Sequence, residues 1–389
     1  MGPGQTSKKS SFRTEVRNPP GVLPLICRDT LRVRMRTFSA RHAMFLIIFL
    51  CTFLFALPLP KFEPLPAPLA NNAVAQVKSR GDLYLFSFMG IGPKKTWDDV
   101  STAAFILDPY IGKWKQIRNV PGPAGRLAAV AAGAREHVFL FGGYTVDAQG
   151  GEITVSDVNV YEPLTDRWLR GADMPIAVDD SVAGVYRDRY IYLVSGWSKS
   201  DAVNNVQVYD AEKNRWQQAT PIPGRSVFGH AGAMAGDTIV YVDGAYRNPS
   251  GSPKYIASDE CWIGKVDHKN PGKISWSKLP PHPGDARYRI AAGGSEKDHM
   301  IYFSGGSANP YNFNGIGYNG EPSEPSRYTF AFNLRSGKWE TLNADTSNPT
   351  MDHRGLFVLP EGLILAGGMA KGQQVTPQVT VLNKREKGL

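Results

Sequence analysis

The chain has 389 residues, 42% of them hydrophobic and 20% charged, with a formal net charge of +9 and three cysteines. This composition excludes an intrinsically disordered chain and a disulfide-stapled scaffold. Residues 1–42 hold nine Lys or Arg against Glu15 and Asp29, so the remaining chain is nearly balanced and carries no electrostatic footprint for nucleic acid.

In chain order, the first element is a basic leader over residues 1–43, with Arg32, Arg34, Arg36 and Arg41 towards its end. An apolar run follows over 44–57 and stops at Pro58. It is too short to span a bilayer comfortably, and with Ala56 at a plausible cleavage point it has the layout of a secretory signal. The expected protein is therefore periplasmic or secreted and bacterial. An uncleaved anchor is the alternative, and this segment is the only expected membrane contact. A start at Met35 or Met44 would shorten the leader. Cys27 and Cys51 fall in these segments, leaving Cys261 alone in the remainder, so no disulfide is expected there. At this size a fold stands on its core.

Residues 58–389 repeat. Tyr161 precedes Trp168 by seven positions, Tyr209 precedes Trp216, Phe332 precedes Trp339 and Leu107 precedes Trp114, with a looser unit ending at Trp276. Each pair reads as strand, tight polar turn, strand. After each Trp, 28 to 30 residues on, come Gly142-Gly143, Ser195-Gly196, Asp243-Gly244, Gly305-Gly306 and Gly367-Gly368, each closing a short apolar run. A period of about 50 residues made of four short strands predicts an all-β propeller. Five Trp-ended units and a last one without Trp give six blades. Phe62 stands 28 residues before Gly90, as Trp168 stands before Gly196, so the segment around Phe62 is expected to complete the last blade and close the ring.

Propeller ligands sit on loops at the channel mouth, because loops vary while strands hold position. Two loops after the glycine positions are long. In the fifth unit, residues 306–320 set Tyr311, Phe313 and Tyr318 among Asn309, Asn312, Asn314 and Asn319. In the fourth, residues 245–255 carry Tyr246 and Arg247. Rings beside amide and guanidinium donors suit a carbohydrate or other small polar ligand, although Asn, Gly and Pro also make turns. A second set opens the inner strands: Arg126, Asp179, Asp180, His230, Arg287, Arg289, Asp352, His353 and Arg354. Asp180, His230 and His353 are candidates for general acid and base. Arg287 and Arg354 are candidates for ligand binding, unless such arginines bridge blades as buried charges must. No glycine pair opens a Gly-Lys-Ser phosphate loop, zinc-ligand spacing is absent, and no cofactor or metal is expected.

The glycine doublet, Tyr and Trp series resembles the kelch repeat, over about residues 62–385. Among exported kelch propellers, the chain resembles the bacterial N-acetylneuraminate epimerases, six-bladed periplasmic mutarotases. That resemblance implies a Glu just after one blade's glycine and an Arg a few residues on. Here the fourth unit reads Asp243-Gly244-Ala245-Tyr246-Arg247, with the Arg and without the Glu. Copper oxidase chemistry of the galactose oxidase type requires two Tyr, two His and a Tyr crosslinked to Cys. No Tyr-His dipeptide occurs, and Cys261 is alone. Two functions follow from the sequence: a carbohydrate-binding propeller, with sugar epimerase or mutarotase activity as its catalytic form, or a non-catalytic propeller that docks a cell-envelope protein.

Overall fold

The computed structural model describes residues 59–342 and 347–384. The basic leader, the apolar run and its cleavage point lie outside the described residues. What is described is almost entirely short antiparallel strands, and none of its helices is long and apolar enough to cross a membrane.

Six blades form the ring. Blade 1 runs Ala73–Ser79, Asp82–Ile91, Val100–Asp108 and Lys113–Ile117, and blade 2 runs Val130–Ala134, His137–Phe141, Val158–Glu162 and Arg167–Arg170. Blade 3 runs Val182–Tyr186, Tyr190–Val194, Val206–Asp210 and Arg215–Ala219. Blade 4 runs Ala231–Ala235, Thr238–Val242, Cys261–Val266 and Ile274–Leu279. Blade 5 runs Ala291–Ser295, Met300–Ser304, Thr329–Asn333 and Lys338–Leu342. Blade 6 has three strands, Phe357–Leu359, Gly362–Ala366 and Val379–Leu382.

The seven-residue spacing becomes a cross-strand pair. Tyr161 lies opposite Trp168, Tyr209 opposite Trp216, Phe332 opposite Trp339 and Leu107 opposite Trp114. Two positions before each of these Trp residues the backbone turns left-handed, at Gly112, Asp166, Asn214 and Gly337. Gly, Asp and Asn tolerate that conformation best, which explains the polar turns. The indoles then fill the seams: Trp168 meets Phe88 of blade 1 at 5.6 Å and Trp216 meets Phe141 of blade 2 at 5.7 Å.

A regular hydrogen bond accompanies this packing. The Nε1 of Trp168, Trp216, Trp276 and Trp339 donates to the carbonyl of Arg118, Ala172, Thr220 and Pro280 respectively. Each acceptor lies four residues past the previous blade's Trp. Trp114 is the exception, with its buried Nε1 unpartnered, and it faces the seam where the two ends of the chain meet. There Phe62, 8% exposed, packs with Leu85, Phe105 and Leu107 of blade 1 and with Leu359, Ile364 and Ala366 of blade 6. The segment around it is extended rather than laddered, joined to blade 6 by the Leu65 N–H donating to the Pro377 carbonyl at 2.7 Å. Phe62 fills the volume of a Trp but supplies no indole donor.

The innermost strand of each blade pairs on one side only, so its free edge faces the axis. Glycine permits six such edges to converge. A Cβ on Gly133 would stand 2.1 Å from the Gln76 carbonyl oxygen of blade 1, and one on Gly294 would stand 2.2 Å from that of Met234 in blade 4.

Candidate functional site

Just before the inner strands, six equivalent residues take a left-handed backbone: Asn71, Ala128, Asp180, Gly229, Arg289 and Asp352, with φ between 50° and 69°. Gly229 adopts this freely and Asn71, Asp180 and Asp352 tolerate it, whereas Ala128 and Arg289 are held in it by their surroundings, as residues at functional sites often are. These residues hydrogen-bond around the axis. The N–H of Asn71 donates to the Asp352 carbonyl, that of Asp180 to Ala128, that of Gly229 to Asp180 and that of Arg289 to Gly229. Ala128 donates instead to the Asn71 side-chain oxygen at 2.6 Å. Because the first of these bonds joins blade 1 to blade 6, the ring is closed at the axis as well as at the outer seam.

Four of the six side chains are polar, and they build a buried ionic plug. Arg289 grips Asp180 through Nε at 3.1 Å and Nη2 at 2.7 Å, and reaches Asp352 through Nη1 at 2.8 Å. Asn71 donates to Asp352 at 3.0 Å, Tyr288 donates to Asp180 at 3.1 Å, and Arg354 pairs with Asp180 through Nη1. Burial works against the Asp180 charge, but Arg289 and Arg354 hold its carboxyl below the usual range. Burial raises Asp352 despite the same arginines. Two carboxylates in one enclosed cluster thus shift in opposite directions, Asp180 down and Asp352 up.

The plug separates two cavities. On the loop face, a pocket of about 140 Å³ is lined by Tyr144, Glu152, Asp179, Asp180, Trp197, Phe228, Lys254, Tyr255, Arg289, Asn312 and Tyr318. Its floor is the plug. Its walls are aromatic, with Tyr255 edge-on to Tyr318 at 4.7 Å and to Trp197 at 5.6 Å. Asp179 is 3% exposed and accepts a 2.6 Å bond from the Thr154 hydroxyl. Burial and then the neighbouring Asp180 charge push its pKa well up. Glu152 is exposed at the rim, yet desolvation among the pocket walls also raises its carboxyl, opposed by Arg289. The pocket therefore joins carboxyls raised above their ordinary range, a fixed cation and flat apolar walls.

On the other side of the plug, a channel cavity of about 290 Å³ runs between the inner strands of all six blades. His230, His353 and Arg354 sit at its plugged end. The His230 Nε2 bonds the Val194 carbonyl at 2.9 Å and the His353 Nε2 bonds the Thr350 hydroxyl at 2.9 Å. Burial lowers both histidines to about 4, so both are neutral at pH 7.

The sequence-predicted residues divide accordingly. Asn312 and Tyr318 line the loop-face pocket, and Asp180 forms part of its floor. Tyr311 is fully buried and packs edge-on against Tyr288 at 5.2 Å, beneath the loop rather than on it. The Asn314 side chain accepts the Ile316 N–H at 3.0 Å and shapes a turn. Outside the pocket lining, Tyr246 lies under the Arg225 guanidinium at 4.7 Å and Arg247 pairs with Asp201 at 2.7 Å. Arg287 occupies a seam, donating to the Gly305 and Tyr328 carbonyls and lying over the Tyr328 and Phe330 rings.

Glu152, Lys254, Tyr144, Trp197, Phe228 and Tyr255 enter the pocket without having been singled out in the sequence. The signal was positional: Tyr144 and Trp197 follow the glycine in their blades, as Ala245 does, and Glu152 and Lys254 lie on the hairpins that start there. A buried group of Asp243, Cys261 and His282 also went unread, its ligand atoms within 4.8 Å of one another. It is a hydrogen-bonded unit, in which Asp243 engages the His282 Nε2 at 2.8 Å and the Arg287 N–H at 2.8 Å, and burial pushes the Cys261 thiol up to about 12.

Comparison with known proteins agrees with this architecture. The kelch motif model matches residues 181–223, which span blade 3. N-acetylneuraminate epimerase of Salmonella enteritidis is 23% identical over 369 residues, covering 84% of this chain and 90% of that protein. Kelch-like protein 15 of Gallus gallus is 30% identical over 132 residues, and the chain spans about a quarter (26%) of its length. The solved structure of YjhT superposes with a TM-score of 0.66 at 18% identity, covering 84% of this chain and 98% of that one. The chain is thus a six-bladed β-propeller with a kelch motif in blade 3, similar in fold to YjhT and in sequence to N-acetylneuraminate epimerase.

Proposed function

We propose that this propeller binds a carbohydrate-like ligand in the loop-face pocket and interconverts its anomers. The observation that carries the reading is the juxtaposition of two carboxyls raised above their ordinary range, Asp179 and Glu152, one able to serve as acid and the other as base, with Arg289 and the rings of Trp197, Tyr255 and Tyr318. A pocket of about 140 Å³ is below the roughly 300 Å³ of a drug-sized site and suits one monosaccharide unit. Sugar rings present an apolar face to an aromatic wall and hydroxyls to carboxyls and amides. Opening a cyclic hemiacetal needs a base to take the anomeric hydroxyl proton and an acid to protonate the ring oxygen as the C–O bond breaks. Reclosure on the other face returns both protons. The similarity to N-acetylneuraminate epimerase, over 90% of that protein's length, supports the same class.

Exchange spectroscopy on a panel of free monosaccharides tests the catalytic half. The expected result is accelerated exchange between α and β anomers of at least one sugar, reduced at least 100-fold in Asp179→Asn. A propeller that docks an envelope protein instead would bind no free sugar and accelerate no exchange. The reading includes export through residues 44–57: N-terminal sequencing of a periplasmic fraction is expected to begin near Leu57, whereas membrane-retained protein with 44–56 intact would establish an anchor.

A further inference from the structure

The cations around the loop-face pocket are already committed. Arg289, in its floor, gives Nε and Nη2 to Asp180 and Nη1 to Asp352, so every nitrogen of its guanidinium meets a protein carboxyl. Arg354 pairs with Asp180 from below. Arg247, 5.8 Å over the Tyr255 ring, donates to the Asp201 carboxylate at 2.7 Å and to the Ser200 carbonyl at 2.9 Å. Lys254 is exposed, with its ammonium 5.1 Å over the same ring. Burial raises the Glu152 carboxyl, and Arg289 and then Lys254 pull against that rise, so the Lys254 charge is met within the pocket. Across the pocket and the plug beneath it, Asp179, Asp180, Asp352 and Glu152 stand against Arg289, Arg354 and Lys254, four carboxyls to three cations.

Resting on the carbohydrate reading above, we propose that the pocket takes a neutral monosaccharide and rejects sugar acids, and that Glu152 sets this choice. The polar groups left for a ligand are mostly acidic or neutral. Asp179 spends Oδ2 on the Thr154 hydroxyl and keeps its other oxygen, while the Glu152 carboxyl and the Asn312 amide have no hydrogen-bond partner among the described residues. A sugar hydroxyl donates to such a carboxyl and accepts from such an amide, whereas a carboxylate only accepts. A ligand carboxylate would find no guanidinium edge to grip, and in an enclosed site its charge would repel those of the walls more strongly than in water. Glu152 is the pocket carboxyl that an entering ligand meets at the rim, because it is exposed on the hairpin of Tyr144–Val146 and Glu152–Thr154. Without its charge, Lys254 would stand unopposed and attract an acid.

The test compares ring-matched pairs, glucose, galactose and mannose each with its uronic acid, at pH 7 and constant ionic strength, with the thermal midpoint as readout. In at least one pair the neutral sugar is expected to bind with an apparent Kd at least 10-fold below that of the acid. Glu152→Gln keeps the size of the side chain and removes its charge, and is expected to shrink that ratio at least 5-fold by tightening the acid. Should Glu152→Gln fail to fold, Glu152→Ala makes the same comparison, and the ratio in the unaltered protein decides the selectivity without either variant. Acids that bind as tightly as their neutral partners overturn the proposal and leave the carbohydrate reading standing. A ratio unmoved by loss of the Glu152 charge overturns the role given to Glu152. If no sugar, neutral or acidic, raises the midpoint, the carbohydrate reading itself fails and the proposal falls with it.

Discussion

At the scale of the residue, the two carboxylates of the plug are expected to behave oppositely on mutation. Asp180→Asn strands Arg289 and Arg354 as buried cations and should destabilise the protein by about 3–5 kcal/mol, the range for breaking a buried ion pair. Asp352→Asn keeps an amide oxygen for the Arg289 Nη1 while Asp180 still balances that arginine, and Asn accepts the left-handed backbone, so a smaller loss of about 1–3 kcal/mol is expected. Urea denaturation at pH 7 separates them, and equal losses would contradict the division of charge. The channel histidines set a pH dependence. Their folded pKa of about 4 lies below the unfolded value of about 6.5, so the unfolded chain takes up protons first. The stability they contribute is complete above pH about 6.5 and is lost as pH falls towards about 4, by up to about 1.4 kcal/mol per pH unit for each histidine. Asp180 acts in a lower window, because its depressed carboxyl sustains stability until pH falls below about 3.9. His230→Gln should reduce the slope between pH 6.5 and 4, and an unchanged slope would show that His230 is not buried neutral.

At the scale of the element, the blade seams were legible because their chemistry is repeated. A Trp seven residues after an aromatic or aliphatic partner can be read in sequence, and it becomes a cross-strand pair around a left-handed turn. The expected role of Phe62 in closure also follows from spacing alone, and the structure places it in the seam between blades 1 and 6. What spacing does not carry is the form of the closing segment, which is extended with few ladder bonds because Pro60, Pro64, Pro66 and Pro68 remove donors. Phe62→Ala should destabilise the protein by about 3–5 kcal/mol as a large buried ring is lost. Deleting residues 59–72 should expose a sheet edge and cause aggregation. A truncated protein that stays monomeric with an unchanged midpoint would refute closure.

At the scale of the whole molecule, the pocket was only partly legible. Tyr318, Asn312 and Asp180 stood out in the sequence, but the long loop of blade 5 hides Tyr311 beneath itself, since a ring with a fully buried neighbour packs inward rather than towards solvent. Glu152 and Lys254 come from blades 2 and 4, and nothing in a linear reading says that two short hairpins a hundred residues apart meet over one axis. Convergence is a property of the closed ring, not of any repeat. Whether the loop face is the recognition face is read from the thermal midpoint of the protein with a panel of monosaccharides, since a ligand of the native state must raise it. A saturable rise is expected with at least one sugar, with an affinity weakened at least several-fold in Tyr318→Ala, corresponding to about 1–3 kcal/mol for a lost stacking ring, and no change in Arg354→Lys. A sugar whose binding ignores Tyr318 and Asn312 but is lost on altering the opposite face would contradict it.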